Sequence, residues 1–289
     1  MIGSGRVAVA TALSVILLAS VGAAPTLAKG HSHGNSSGTT GNDISWPQCG
    51  GSYPAGQAFG IVGVNGGLAN ELNPCLVSEL TWAAGSSGTT SLPKAALYVN
   101  TANPGQVVPA VADWPGDNTD PAGVDVGPDG TNLDPYGRCA GADDSACSWQ
   151  YGWDRAVQDV LWLQQTAGSG FSNGAADYPW WLDVETGNSW ESGSGGLAHN
   201  IADLEGMVSA FQEFGGVATV GIYSTSYQWG VITGGTSSST VLTGLPDWIP
   251  GARREKAAES NCSLPPFTAG PVLITQWFGH FDGDVSCMG

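Results

Sequence analysis

Two acidic residues, Asp183 and Glu185, lie two positions apart at the end of a short apolar segment, residues 179–184. An apolar run of this length bounded by turn residues is typical of a fully buried strand. Because side chains two apart on a strand point to the same face, the two carboxyl groups project together, with Trp181 below them. Two acids in a dry place favour retention of one proton at neutral pH. One protonated acid and one ionised carboxylate are the pair that cleaves a glycosidic bond.

A second interpretation of this stretch needs no chemistry. Asp183 and Glu185 could face solvent at the strand end or cap the following helix, because a single Asp-x-Glu is a short motif. The elements around the pair therefore have to be considered. The segment is apolar on both faces, which predicts a parallel strand covered by helices rather than a half-solvated hairpin.

Strand-like and helical segments alternate from residue 43 onward. The predicted strands span residues 43–46, 60–65, 95–100, 179–184, 218–223, 247–250, 272–277 and 282–287. Helices are predicted after Asn73-Pro74, over residues 148–165, and from an N-cap at Asn200 to Gly215-Gly216. The acidic, Gly- and Pro-rich residues 110–146 are too long for an ordinary connection and predict an elaborated surface loop. The fold class is α/β, a modified (β/α)8 TIM-like barrel with reduced outer helices.

The ends of barrel strands supply the candidate site, because such barrels carry their sites at the C-terminal face. Four acids are the catalytic candidates, with Asp282 able to replace the last of them: Asp43, Asp183, Glu185 and Asp284. Polar and aromatic residues at or near the same ends are the substrate-binding candidates: Trp46, Asn65, Asn100, Trp190, Tyr223, Trp248, Gln276 and Trp277. Exposed indoles would stack on sugar rings, whereas at least half of the 12 tryptophans are expected in the core.

The N-terminal region predicts export. Residues 1–28 have the basic n-region, apolar h-region and small-residue cleavage site of a signal peptide. Residues 29–42 are polar and predict a flexible linker, whose His31-x-His33 pair has no nearby Cys or carboxylate to complete a metal site. Residues 43–289 remain as one barrel domain.

The charge and the apolar segments exclude two classes of partner. The chain carries a net charge of −17, which disfavours nucleic acid and anionic membranes. The apolar run of residues 7–21 is shorter than the roughly 20 residues of a membrane helix. We expect a secreted, extracellular monomer that binds a polysaccharide and needs no metal or cofactor.

Six cysteines follow the linker, and an even number in an exported chain predicts disulfides with no free thiol. Six cysteines permit 15 pairings. Proximity favours Cys139–Cys147, and the strand order favours the pairs Cys49–Cys75 and Cys262–Cys287.

Five short motifs, in order, resemble those of the glycoside hydrolase family 25 lysozymes. Residues 43–48, Asp-Ile-Ser-Trp-Pro-Gln, are similar to the opening Asp-Val-Ser-x-x-Gln of that family. Residues 181–185, Trp-Leu-Asp-Val-Glu, resemble its catalytic Leu-Asp-x-Glu strand. Residues 221–224, 247–249 and 284–286 resemble its Ile-Tyr-Thr/Ser, Leu-Trp-Ile and Asp-Leu-Asn segments. The resemblance covers nearly the whole chain after the linker.

This resemblance implies a barrel with fewer outer helices and hydrolysis of the β-1,4 bond between N-acetylmuramic acid and N-acetylglucosamine. The family's acidic positions match Asp43, Asp183, Glu185 and Asp284. Two strands depart from the family pattern. Strand three lacks the family's Tyr-His-Phe ending, and the strand that reads Trp-Gln-Tyr in the family reads Thr275-Gln-Trp277 here. With its additional loop over residues 110–146, the chain resembles a divergent, actinobacterial-type relative of the family.

These residues support one leading role and two alternatives. In the leading interpretation, Glu185 is a general acid with a raised pKa, and Asp183 stays ionised and steadies an intermediate. Asp43 and Asp284 would orient that pair or a water. The first alternative is a glycan-binding barrel without turnover. The second is an exported structural protein whose acidic loop binds Ca²⁺ through Asp residues at 113, 117, 120, 125, 129 and 134.

Overall fold

The computed structural model describes residues 39–105, 113–167, 174–235 and 239–288. The predicted signal peptide and most of the predicted linker lie outside these residues. The strands are β1 (Thr40–Ile44), β2 (Gly60–Gly63), β3 (Ala95–Asn100), β4 (Trp180–Asp183), β5 (Val220–Tyr223), β6 (Asp247–Ala252), β7 (Val272–Trp277) and β8 (Gly283–Ser286). The helices are α1 (Leu76–Ala84), α2 (Ser145–Ala167), α3 (Gly193–Glu213), α4 (Ser226–Thr233) and α5 (Glu255–Asn261). β1 thus begins inside the segment that was interpreted as linker.

The eight strands close into a barrel in chain order. Strands β1 to β7 are parallel, whereas β8 runs antiparallel to both β7 and β1. No α-helix is described between β1 and β2 or between β7 and β8. This confirms the modified α/β barrel with reduced outer helices. Because β8 is antiparallel, it begins at the face where the parallel strands end, and its second residue, Asp284, lies near that face.

The two faces of β4 are occupied as the alternation predicts. Trp180 points outward and packs on Phe211 of α3, with ring centroids 4.5 Å apart. Trp181 points into the barrel, where its ring lies 5.9 Å from that of Trp248. The neighbouring strand has Gly221 at this level, and a Cβ there would overlap the Trp181 ring. β4 is therefore a buried parallel strand whose inward face ends in Asp183.

The helix predicted from an N-cap at Asn200 is longer at its start. α3 begins at Gly193, and Asn200 lies inside it, fully buried. Its side-chain amide donates to the carbonyls of Glu191 and Ile232, each at 2.9 Å. The first turns of α3 contain Gly and Ser without an apolar period, so they show no helical pattern. The short helices α4 and α5 were likewise not predicted.

The long connection before α2 is ordered by its own acidic side chains where it is described. Asp120 Oδ1 accepts from the backbone N–H groups of Ala122 and Val124, both at 2.9 Å. Asp134 Oδ1 accepts from Tyr136 N at 2.8 Å. These are turn-capping bonds of the kind that Asp makes in tight loops. Among the described residues, the six loop aspartates do not form a group whose carboxylates could share one ion. The structure therefore does not support the calcium-binding alternative.

All three predicted disulfides are confirmed: Cys49–Cys75, Cys139–Cys147 and Cys262–Cys287. No cysteine is left free. Within the described segments, no helix has both the length and the apolar character that crossing a membrane requires.

Close packing of α2 on α3 depends on two glycines that face each other across the helix crossing. A Cβ at Gly206 of α3 would clash with the Trp149 carbonyl, and one at Gly152 of α2 would clash with the Asp203 carbonyl. Both clashes are with backbone atoms, which cannot move aside as a flexible side chain could. Gly152 and Gly206 therefore set the distance between the two helices at their crossing.

We expect Gly206→Ala to lower the free energy of unfolding by about 1–3 kcal/mol, because the added methyl forces the helices apart. Gly195→Ala is the matched control on the same helix, since a Cβ at Gly195 meets no atom within 4 Å. This control should be neutral or stabilising by up to about 1 kcal/mol. Urea unfolding of both variants measures the difference. Equal stability of the two would contradict the crossing described here.

Candidate active site

A cavity of about 160 Å³ opens at the C-terminal face of the barrel. It is lined by Asp43, Tyr98, Asp183, Glu185, Tyr223, Trp248, Gln276 and Asp282. Six of these were named from the sequence as site residues, and Asp282 was named as the substitute for Asp284. The cavity lining contains four carboxyl groups and neither lysine nor arginine. Such a site has acids available for proton transfer but no basic side chain to neutralise them.

The end of β4 is fixed by hydrogen bonds to its last carbonyl. Thr101 Oγ1 donates to the Asp183 carbonyl at 2.6 Å, and Asn188 Nδ2 donates to it at 3.1 Å. The Asp183 side chain is buried, and its Oδ1 has no hydrogen-bond donor among the described residues. A buried carboxyl without donors favours its neutral form.

Glu185 follows β4 and is less buried than Asp183. Its Oε1 accepts a hydrogen bond from Gln228 Nε2 of α4 at 3.3 Å. Its backbone carbonyl accepts from Trp190 Nε1 at 2.8 Å. These contacts hold Glu185 at the more open side of the cavity, beside the buried Asp183.

Burial raises the pKa of Asp183 well above its ordinary value, and the charges of Glu185 and Asp43 raise this pKa further. In the free protein, this direction favours the protonated form of Asp183. This corrects the expectation that Asp183 stays ionised. The reason is depth: Asp183 ends the strand inside the barrel, whereas Glu185 lies beyond its end.

A second group of acids lies across the barrel. Gln276 Nε2 donates to Asp43 Oδ2 at 2.9 Å, and Tyr223 Oη donates to Gln276 Oε1 at 3.0 Å. Trp248 Nε1 donates to Asp284 Oδ1 at 3.0 Å. The carboxyl groups of Asp43 and Asp284 are themselves in hydrogen-bonding contact. One chain of hydrogen bonds thus joins β5, β7, β1, β8 and β6.

The shared burial of this group raises the pKa of both acids. Burial and the charge of Asp282 raise the pKa of Asp43 to about 7, against lowering by the Gln276 and Asp284 hydrogen bonds. Burial and the neighbouring Asp43 raise the pKa of Asp284 well above its ordinary value. At neutral pH the two carboxyls hold a proton between them, which explains how they tolerate contact.

Other predicted site residues lie outside the cavity lining. Asn65 is buried, and its side chain makes two hydrogen bonds to the backbone of Asn100. Its Oδ1 accepts from the Asn100 N–H at 2.7 Å, and its Nδ2 donates to the Asn100 carbonyl at 3.3 Å. Trp277 points out of the barrel and packs against Ala252 and Ala258. Trp46 lies in a separate shallow groove beside Gly67. Within the described residues, Trp190 contacts the site through its hydrogen bond to the Glu185 carbonyl.

Two residues of the site were missed from the sequence. Tyr98 lines the cavity, and Gln228 donates to Glu185. The alternation of β3 could have identified Tyr98, because it lies two residues before Asn100 and therefore shares its face. Gln228 had no signal, since its helix α4 was not predicted.

The raised acid pKa values set the direction of the pH dependence of stability. An acid with a higher pKa in the folded state binds more protons when folded, so its contribution to the free energy of unfolding falls as pH rises. For Asp43 this loss occupies the interval from 3.8 to about 7.

We therefore expect Asp43→Asn to raise the Tm by a few degrees at about pH 8, with a smaller gain at about pH 4. Thermal unfolding of both proteins across this range measures the gap. Glu259→Gln, at an exposed position of α5, controls for the loss of one negative charge. A gap that stays constant or narrows as pH rises would show that Asp43 is not a buried, protonated acid.

Comparison with known proteins finds no match among family models and none among curated proteins. Solved structures do match. A muramidase from Trichobolus zukalii is 17% identical, with 86% of this chain and 93% of that chain covered and a TM-score of 0.47. A bacterial lysozyme from Streptomyces coelicolor is 14% identical, with 87% and 93% covered and a TM-score of 0.47. A family GH25 lysozyme from Aspergillus fumigatus is 16% identical, with 86% and 93% covered and a TM-score of 0.48. At this distance, function has to be argued from the residues of the cavity.

Proposed function

We propose that this protein is a secreted glycoside hydrolase that cleaves β-1,4 bonds of peptidoglycan or a related N-acetylhexosamine glycan. The observation that carries the proposal is the pair Asp183 and Glu185, which lie side by side in an open cavity at the C-terminal face of the barrel. Their unequal burial supplies one neutral and one accessible carboxyl group. The five motifs that resemble family 25 lysozymes support the same chemistry, and three disulfides fit an extracellular protein.

Glu185 is proposed as the general acid. It is the more accessible of the two acids, and Gln228 orients its carboxyl group from α4. In the first step its proton passes to the glycosidic oxygen as the bond between that oxygen and the sugar C1 breaks. In the second step a water attacks C1 and gives a proton to Glu185, while the bond that C1 has meanwhile formed to the substrate's acetamido oxygen breaks.

Asp183 is proposed to act on the N-acetyl group of the substrate. The acetamido oxygen would bond to C1 as the leaving group departs, while the acetamido N–H donates to Asp183. A donor at Asp183 favours its ionised form, so substrate binding would move the proton of the coupled pair from Asp183 to Glu185. Two carboxyls launched from one strand suit this assistance better than attack from opposite sugar faces.

Exposed aromatic rings around the face offer stacking surfaces for further sugar units. Trp46 follows β1 and is 46% exposed, Tyr227 follows β5 and is 75% exposed, and Phe278 follows β7 and is 56% exposed. Flat rings at the ends of three strands suit a polymer better than a single small ligand, because one cavity of this size accommodates little more than one sugar.

We expect Glu185→Gln to lower the rate of sugar release from purified peptidoglycan by about 10²–10⁴-fold, because the amide cannot supply the proton. The Tm should be unchanged or raised, since an acidic group beside the buried Asp183 is removed. Glu213→Gln on the exposed end of α3 is the control and should keep full activity. Normal turnover in Glu185→Gln rejects the assignment. Glycan binding by the unaltered protein without any release of sugar would instead favour the non-catalytic barrel.

We expect Asp183→Asn to slow hydrolysis of N-acetylated glycans by at least about 10²-fold, because the amide cannot become the charged acceptor for the acetamido N–H. Plain β-1,4-glucan should be a poor substrate of the unaltered protein. Product analysis on N-acetylated and plain fragments measures both effects. A glycosyl ester trapped on Asp183 by a fluorinated substrate would refute this role.

A further inference from the structure

Three potential metal ligands converge away from the cavity. The ligand atoms of Asp143, Glu191 and His199 all lie within 4.8 Å of one another. His199 Nδ1 is 2.8 Å from Glu191 Oε2 and 3.7 Å from Asp143 Oδ1. None of the three residues lines the cavity that contains Asp183 and Glu185.

The three ligands come from distant parts of the chain. Asp143 ends the long connection before α2, Glu191 lies between β4 and α3, and His199 is on α3. Their side chains are 42%, 15% and 20% exposed, respectively. An ion could therefore reach the group from solvent, while two of the three ligands are held by surrounding protein.

The backbone and neighbouring side chains support this geometry. Glu191 Oε1 accepts from Asn103 Nδ2 at 3.2 Å, which leaves Oε2 on the side of His199. Gly105 has φ +57°, and a Cβ there would lie 3.1 Å from Asp143 Oδ1 and 3.3 Å from Glu191 Oε1. Glycine at this position thus keeps both carboxylates free of a neighbouring side chain.

A buried amide beside the three ligands shares its hydrogens among several acceptors, one of which is Glu191. Asn103 is fully buried, and its carboxamide is directed at Glu191. Its Nδ2 has three acceptors at 3.2–3.3 Å, on Ser148, Glu191 and Asn200, although an amide has only two hydrogens. Its Oδ1 has no partner among the described residues. The two hydrogens of Nδ2 cannot satisfy all three oxygens at once, so Glu191 keeps acceptor capacity for a cation.

We propose that Asp143, Glu191 and His199 form a binding site for a divalent transition-metal ion of the Zn²⁺ type. One imidazole nitrogen and two carboxylate oxygens match the ligands that Zn²⁺ takes, with water completing the coordination. Ca²⁺ is instead coordinated by six to eight oxygen ligands, so an imidazole nitrogen does not suit it. The chain's net charge of −17 favours cation binding in general.

The ordinary alternative is that His199 bridges Glu191 and Asp143 without any metal. The two cases differ in measurable ways, because a metal site binds one ion per chain with an affinity that depends on all three ligands. This proposal does not depend on the proposed glycosidase activity. If the protein has both the metal site and the glycosidase activity, the ion would stabilise the connection between β4 and α3, which contains Glu185 as well as Glu191.

The test is calorimetric titration of Zn²⁺ into the full chain carrying His31→Ala and His33→Ala, which removes the two other closely spaced histidines. We expect one ion per chain and a rise in Tm. His199→Gln and Glu191→Gln should each weaken binding by at least about tenfold, the range seen even for supporting residues of metal sites. Glu213→Gln, also on α3, should bind as the parent does.

Cooperative melting of each variant without metal establishes that it is folded. If His199→Gln does not fold, the more exposed Asp143→Asn serves in its place. Unchanged Zn²⁺ affinity in the folded ligand variants, or no binding by the parent at micromolar Zn²⁺, overturns the proposal. Ca²⁺ that raises the Tm as much as Zn²⁺ does would overturn the assignment of the ion.

Discussion

The interior of the barrel mouth is organised by carboxyl groups that have no basic partner. Asp183 and Asp284 are buried, Asp43 is partly buried, and no lysine or arginine lines the cavity beside them. Burying an unpaired carboxylate is costly, which favours the protonated form of these groups. Asp43 and Asp284 in addition accept hydrogen bonds from Gln276 and Trp248. Acids with raised pKa values are therefore concentrated at the C-terminal face of the barrel.

The antiparallel strand β8 makes this arrangement possible. A parallel eighth strand would place its first residues at the opposite face of the barrel. Here β8 enters at the C-terminal face, so Asp284 is in register with Gln276 of β7 and Gly41 of β1. The hydrogen-bond chain from Tyr223 to Trp248 depends on this direction, because both Gln276 and Trp248 contact the acids that β1 and β8 contribute.

The long loop before α2 is packed against the two long helices, α2 and α3. The loop aspartates cap turns, Asn118 bonds both Asp134 and Gln150, and Trp153 Nε1 bonds Asp120 at 3.2 Å. These contacts attach the loop to α2, and the glycine crossing attaches α2 to α3. Asp143, Glu191 and His199 then meet where the loop, the β4 connection and α3 come together.

The sequence alone determined the parts of this protein that are local or periodic. The apolar run before Asp183 predicted a buried parallel strand with both acids on one face. Proximity along the chain and the predicted strand order gave the three disulfides. Only the tertiary structure decided the depth of each acid, and the burial of Asp183 raises the pKa of that carboxyl group. It also turned Trp277 outward and committed the Asn65 side chain to the Asn100 backbone. The direction of β8, the recruitment of Gln228 from an unpredicted helix, and the meeting of residues 143, 191 and 199 have no local signature. Each depends on contacts between segments far apart in the chain, which pattern and propensity do not encode.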